Sequence, residues 1–127
     1  MAADRVTLPS EIDLTNASKV HDTLARALES GTAVVIADAT ETTFCDCAGV
    51  RALIRAHRQA AAAGAGLRVA AATSRNVRRI LQLTGADQVL DIYPTLAAAR
   101  ANLPRDLLTP QVQLIRRQLH HHAQHDA

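Results

Sequence analysis

Phe44-Cys45-Asp46-Cys47-Ala48-Gly49-Val50 is the stretch on which the fold turns. The β-branched and apolar run from Thr32 to Asp38 lies upstream of it and reads as a buried strand. A pattern of helical spacing follows it. Asp46 is a good N-cap, and Val50, Leu53, Ile54, His57 and Ala61 mark the inner face of a helix that Gly64 stops. The segment therefore sets an acid, two small residues and a glycine at a helix N-terminus. Exposed amides and the positive end of the helix dipole suit that location to an anion or a charged partner.

Working outward, the same alternation recurs on both sides. Arg5-Val6-Thr7-Leu8 alternates as a short strand should, and Pro9-Ser10 breaks it. Thr15 is the expected N-cap of a first helix, with Ala17, Val20, Leu24 and Ala27 or Leu28 inward and Gly31 closing it. Leu67 to Ala72 is a third strand. Ser74 caps a third helix with Val77, Ile80 and Leu81 inward, and Gly85 ends it. Val89 to Tyr93 is a fourth strand, and Pro94-Thr95 opens a short helix reaching about Leu103. Alternating strands and helices define an α/β domain over residues 5–103, with about four mainly parallel strands, about four helices and right-handed crossovers.

Beyond Pro104 the pattern changes. Thr109-Pro110 is an N-cap followed by proline at the first helical position. Leu108, Val112, Ile115 and Leu119 recur every three or four residues. Residues 104–127 thus read as an amphipathic C-terminal helix with a His-rich tail. That helix either packs on its own domain or makes a dimer or partner contact.

Composition narrows the function. The 127 residues make one domain with enough length to bury a core, and 48% are hydrophobic. With one Phe, one Tyr and no Trp, the chain has no aromatic platform for single-stranded nucleic acid. Its net charge is only +2 and its arginines are spread over several segments, so no nucleic-acid footprint stands out. No apolar run approaches the roughly 18 residues that cross a bilayer, and Met1 to Arg5 carries no signal-peptide core. Two cysteines only two residues apart close no useful disulfide loop, which points to a reducing cytoplasm.

No nucleophile–base pair, glycine-rich phosphate loop or carboxylate pair at catalytic spacing is present. Cys45 reads as a small core residue. Cys47 either fills a serine-sized space or, exposed at a helix start, senses oxidants as a lowered-pKa thiol. Cys45 and Cys47 supply two ligands where a zinc site needs four, so no metal and no cofactor are expected. His120, His121, His122 and His125 read as a solvated terminus, and His57 as a partly buried structural residue. Gly49 allows close approach, either of a partner or of a neighbouring strand. Asp13 and Asp38 end strands and begin turns.

In order and spacing, four segments resemble the STAS domain, a family named for sulfate transporters and anti-sigma-factor antagonists. Leu8-Pro9-Ser10-Glu11-Ile12-Asp13 resembles its Leu-x-Gly-Glu-Leu-Asp, and Val34 to Asp38 its second buried strand. Phe44 to Val50 resembles Phe-Ile-Asp-Ser-Ser-Gly-Leu. Val77 to Gly85 and Tyr93 to Ala99 resemble the stretches around the last strand. The resemblance implies a non-enzymatic bacterial regulator of transcription that binds a serine-kinase anti-sigma factor. It places the partner contact at Asp46, Cys47, Ala48 and Gly49, with Asp13 near the same surface and Asp38 included in that face. In the family the kinase ends the contact by phosphorylating the second serine of the motif. Here Ala48 stands at that position, so no phosphoacceptor is present. The family also includes subunits of transport complexes such as lipid-trafficking ABC transporters, and this is the alternative role. Few residues precede Arg5, so the expected sheet is either one strand shorter than the family's or covered at its edge by the C-terminal helix.

Overall fold

The computed structural model describes residues 3–71 and 74–101. Six strands, β1 (Ala3–Thr7), β2 (Glu11–Ile12), β3 (Val34–Asp38), β4 (Phe44–Cys45), β5 (Gly66–Ala70) and β6 (Asp91–Tyr93), alternate with four helices. The helices are α1 (Ala17–Glu29), α2 (Cys47–Ala62), α3 (Arg75–Leu83) and α4 (Leu96–Ala101). β1, β3, β5 and β6 form one sheet in that order, and every pair is parallel. The α/β expectation with four parallel strands holds. The segment Ala3–Thr7 is itself an edge strand, with Thr7 opposite Asp38.

β3 is buried along its whole length, and its alternation divides the core. Val35 and Ala37 face one layer, joined by Leu67 and Val69 of β5, Val20 and Leu24 of α1, Val50, Leu53, Ala56 and Ala60 of α2, and Val77 and Leu81 of α3. Val34 and Ile36 face the other side with Ala70 and Ala99 of α4. A strand buried on both faces reads as a continuous apolar run, which is why Val34 to Ala37 was legible as a core strand. α1, α2 and α3 therefore cover one face of the sheet, and α4 lies on the other.

Several boundaries differ from the sequence reading. Asn16, not Thr15, occupies the cap position of α1, and it makes no capping bond. Its side chain is used elsewhere: Nδ2 donates to the Glu11 carbonyl at 2.8 Å and Oδ1 accepts the Asp13 amide at 2.9 Å. Thr15 is held in the preceding turn by the Asp13 carboxylate. On α2, Ala56 and Ala60 are buried and Ala61 is exposed, because the 3.6-residue period carries position 61 off the inner face. A 3-10 turn at Ala86–Gln88 delays the fourth strand to Asp91. The expected caps Asp46, Ser74 and Thr95 do accept amide protons, from Gly49, Val77 and Ala98. Gly64 and Gly85 follow α2 and α3 with φ of +74° and +76°, conformations that glycine enters without strain. The stretch assigned to the C-terminal amphipathic helix, the end of the last short helix and the His-rich tail lie outside the described residues.

Candidate functional site

A two-stranded ladder builds the site. β2 pairs in parallel with β4, Glu11 opposite Phe44 and Ile12 opposite Cys45. The Asp46 amide extends it by donating to the Ile12 carbonyl at 3.0 Å. The motif Leu8 to Asp13 thus contains a strand, Glu11–Ile12, that sequence periodicity missed, because two paired residues are too short to show alternation. Further bonds fix the approach. The Thr43 amide donates to the Ser10 carbonyl at 2.8 Å, and buried Thr42 donates its hydroxyl to the Pro9 carbonyl at 2.8 Å. Ser74, at the start of α3, donates to the Thr43 carbonyl at 3.1 Å. The starts of α2 and α3 are in this way tied to one short ladder.

At the turn itself Asp46 is extended, with φ −99° and ψ −173°. Its carboxylate accepts the Gly49 amide at 3.1 Å, and its carbonyl accepts the Val50 amide at 3.0 Å, the first bond of the helix. Its capping role is therefore direct. Cys47 is exposed, Ala48 is half-buried, and Gly49 is buried. A Cβ on Gly49 would stand 2.6 Å from the Cys45 sulfur and 2.8 Å from Ile12 Cγ2. Of the two partners left open for this glycine, the one it meets in the structure is the neighbouring ladder. Burial, and next the charge of Asp46, push the Cys45 thiol up to about 11. Cys45 is accordingly a protonated core residue at neutral pH.

Asp13 follows β2 directly, so the ladder brings it beside the Asp46 turn. The Thr15 hydroxyl and then the Thr15 amide donate to its carboxylate and hold its pKa below the ordinary value. Asp38 is not brought to this place. It is in phase with Val34 and Ile36, on the α4 face of the sheet, and it is buried. Its carboxylate accepts the Thr40 hydroxyl at 2.6 Å and the Thr40 amide at 3.1 Å, and Arg5 Nε stands 3.8 Å away. Its role there is to close the turn after β3.

Two residues close in sequence to Asp13 and Asp46 are exposed apolar side chains that sequence reasoning did not single out. Leu14 is 81% exposed and Phe44 is 44% exposed. Leu14 follows Asp13 in the chain, and Phe44 precedes Cys45 and pairs with Glu11 in the ladder. Phe44 stands in the motif, but nothing in the sequence separates its outward side from the inward side of Cys45 until the ladder register is known. Among the described residues, no group of three His, Cys, Asp or Glu could hold a metal ion, and no helix is long and apolar enough to cross a membrane.

A short parallel ladder, a capped helix start of small residues and a parallel sheet with three helices on one face define the class of domain. The STAS domain family model matches residues 5–99, and the chain belongs to this family. Comparison with curated proteins gives no match. Solved structures share the fold. An anti-sigma factor antagonist from Mycobacterium paratuberculosis has a TM-score of 0.71 and 23% identity, over 78% of this chain and 83% of that one. The anti-sigma factor antagonist SpoIIAA, in its unphosphorylated form, has a TM-score of 0.64 and 18% identity over 80% and 90%. A sulfate transporter family protein from Wolinella succinogenes has a TM-score of 0.67 and 17% identity over 78% and 82%.

Proposed function

We propose that this chain is a non-enzymatic cytoplasmic regulator of anti-sigma-factor-antagonist type, which docks a serine-kinase anti-sigma factor on the start of α2. The observation that carries this reading is the exposed surface of that start. Cys47 is open to solvent and Ala48 half-open, with Phe44 and Leu14 exposed in the neighbouring strand and turn, while the Asp46 carboxylate is engaged in the cap. Small residues there let a partner approach closely, and the two apolar side chains supply area to bury. Asp13 contributes to the same face. Gly49 contributes through its backbone, while Asp38, buried on the α4 side of the sheet, closes the turn after β3 and lies outside this face. Because Ala48 has no hydroxyl, the contact is not ended by phosphorylation at that position.

Ala48→Glu tests the docking face. A carboxylate left unpaired in a closed contact costs about 3–5 kcal/mol, and each 1.4 kcal/mol is about tenfold in affinity. Calorimetric titration with the organism's own serine-kinase anti-sigma factor should show a loss of about a hundredfold or more. Circular dichroism should show the fold unchanged, because a helix start tolerates an acid. Undiminished binding removes the loop from the interface.

The second reading is a STAS subunit of a transport complex, favoured by the likeness to the sulfate transporter family protein. Affinity capture from the native cytosol separates the two, since a permease or ATPase subunit in place of a kinase supports the transport role.

A further inference from the structure

The arginines that look scattered in the sequence are gathered by the fold. α2 (CAGVRALIRAHRQAAA) and α3 (RNVRRILQL) contain no acid at all. They pack on the same face of the sheet and touch one another. Arg51, Arg55 and Arg58 stand on the exposed side of α2, three or four residues apart, and Arg75 and Arg79 on the exposed side of α3. Arg78 leans instead into a shallow cleft shared with Asp87 and Asp91. Among the described residues, none of the five ridge arginines has an ion pair or a side-chain hydrogen bond. The arrangement works against folding. Like charges one turn apart weaken a helix, and Arg75 sits at the positive end of α3. Nothing in the packing of the domain calls for it.

The opposite sign gathers next to this ridge. Glu11, Asp13, Glu41 and Asp46 lie on the ladder and the loop from which α2 starts. Arg51 is one turn along α2 from Cys47. We propose that the outer faces of α2 and α3 form a second half of the docking surface, which receives an acidic protein segment whose carboxylates repeat at about one helical turn. The proposal rests on the reading above for the neighbouring turn and adds the charge of the partner. A patterned surface of this kind fixes orientation and speeds encounter more than it adds affinity. A protein fits the pattern better than the other polyanions. The backbone of a nucleic acid would have to continue from the ridge over the acidic turn, with no aromatic side chain on α2 or α3 to stack its bases. A bilayer would need apolar side chains beside the arginines, and Leu83 is the single exposed large one on these two helices.

The test is an amide NMR titration of the full chain at about 0.01 M salt, where charges interact over about 30 Å. The probes are an alanine-based helical peptide with glutamate at every fourth position, its glutamine counterpart, single-stranded DNA and phosphatidylglycerol vesicles. The expected result is shifts from the glutamate peptide confined to α2 and α3 and none from the glutamine peptide. The pair Arg55→Glu and Arg79→Glu should weaken them about tenfold or more, as should about 0.15 M salt, which shortens the range to about 8 Å. Both substitutions are at exposed positions where glutamate is a good helix former, so the fold is kept. Three results overturn the proposal: no shifts on α2 and α3, tighter binding of DNA or vesicles than of the glutamate peptide to these helices, or concentration-dependent shifts that dock the ridge of one copy on the acidic turn of another. No kinase is present in this titration, so its failure is separate from a failure of the loop reading, which Ala48→Glu reports.

Discussion

Gly49 lies so close to Cys45 that a Cβ on the glycine would stand 2.6 Å from the cysteine sulfur. The glycine is thus required by proximity, not by its backbone angles, since the residue is inside a regular helix. The contact clamps the start of α2 onto the β2–β4 ladder. Gly49→Ala overfills this space and should cost about 1–3 kcal/mol in urea unfolding. Cys45→Ala in the same chain removes the sulfur and should return part of that loss. Full additivity of the two substitutions would show that the clamp does not exist.

Asp46 combines a cap with a surface charge, and substitution separates the two. Asp46→Ala loses the bond to the Gly49 amide and should destabilise the domain by about 1 kcal/mol. Asp46→Asn keeps a capping oxygen and should stay within about 0.5 kcal/mol of the parent. If Asp46→Asn also binds the kinase as the parent does, the negative charge plays no part in the contact, and the turn acts by shape.

The two cysteines should behave as different residues. Cys45 is buried with its pKa pushed up to about 11, so at neutral pH almost none of it is thiolate. Cys47 is exposed. Alkylation of the native chain at pH 7 should modify Cys47 alone and at a modest rate, and Cys45 should follow only in denaturant. Fast labelling of Cys47, sensitive to oxidant and coupled to loss of the partner, would support a thiol redox sensor instead.

These experiments concern parts of the chain that the sequence shows unequally. The parallel sheet was legible because Val34 to Ala37 is a continuous apolar run and strand and helix patterns alternate along the chain, and α2 because Asp46 and Gly64 bound a periodic stretch. The β2–β4 ladder was not, since Glu11–Ile12 and Phe44–Cys45 are too short for periodicity and meet only through tertiary pairing. Arg68 escaped for another reason. It is 5% exposed in the middle of β5, where a charge is not expected, and its guanidinium donates to the Ala99 carbonyl at 2.9 Å. That bond ties α4 to the sheet with a partner that is distant in sequence. The basic ridge was hidden likewise, because the sequence separates Arg58 from Arg75 and the crossovers bring their helices onto one face.

Acid stability should carry a trace of Asp13. Bonds from the Thr15 hydroxyl and then the Thr15 amide favour its ionised form, so its pKa in the folded chain lies below the unfolded value of about 3.9. A carboxylate shifted in this direction adds stability above the unfolded pKa. That contribution disappears as pH falls through the lower, folded value. Thr15→Val removes the larger cause and should move the Asp13 titration upward, as read from its carboxyl carbon by NMR. An unchanged titration would mean that the hydroxyl bond does not persist in solution.

Ala48→Ser puts a hydroxyl at the position of the family motif's second serine. The substitution falls on the second residue of α2, half-buried at the edge of the proposed docking face. Serine is well tolerated in a first helical turn, so the fold should hold within about 0.5 kcal/mol. A phosphate there would bring about −1.5 to −2 charge. The helix dipole offsets about 0.3–1 kcal/mol of its cost, while Asp46 beside it repels. If a serine kinase docks on this turn as proposed, it should phosphorylate Ala48→Ser and then release it, whereas the parent chain should stay unmodified and bound. Mass spectrometry of both chains after incubation with kinase and ATP checks the first step, and calorimetry of the phosphorylated product the second. Phosphorylation of the parent at Cys47 or Thr43 instead would show that this turn keeps a switch of its own. A serine at 48 that stays unmodified in a bound complex would place the kinase's active centre away from the start of α2.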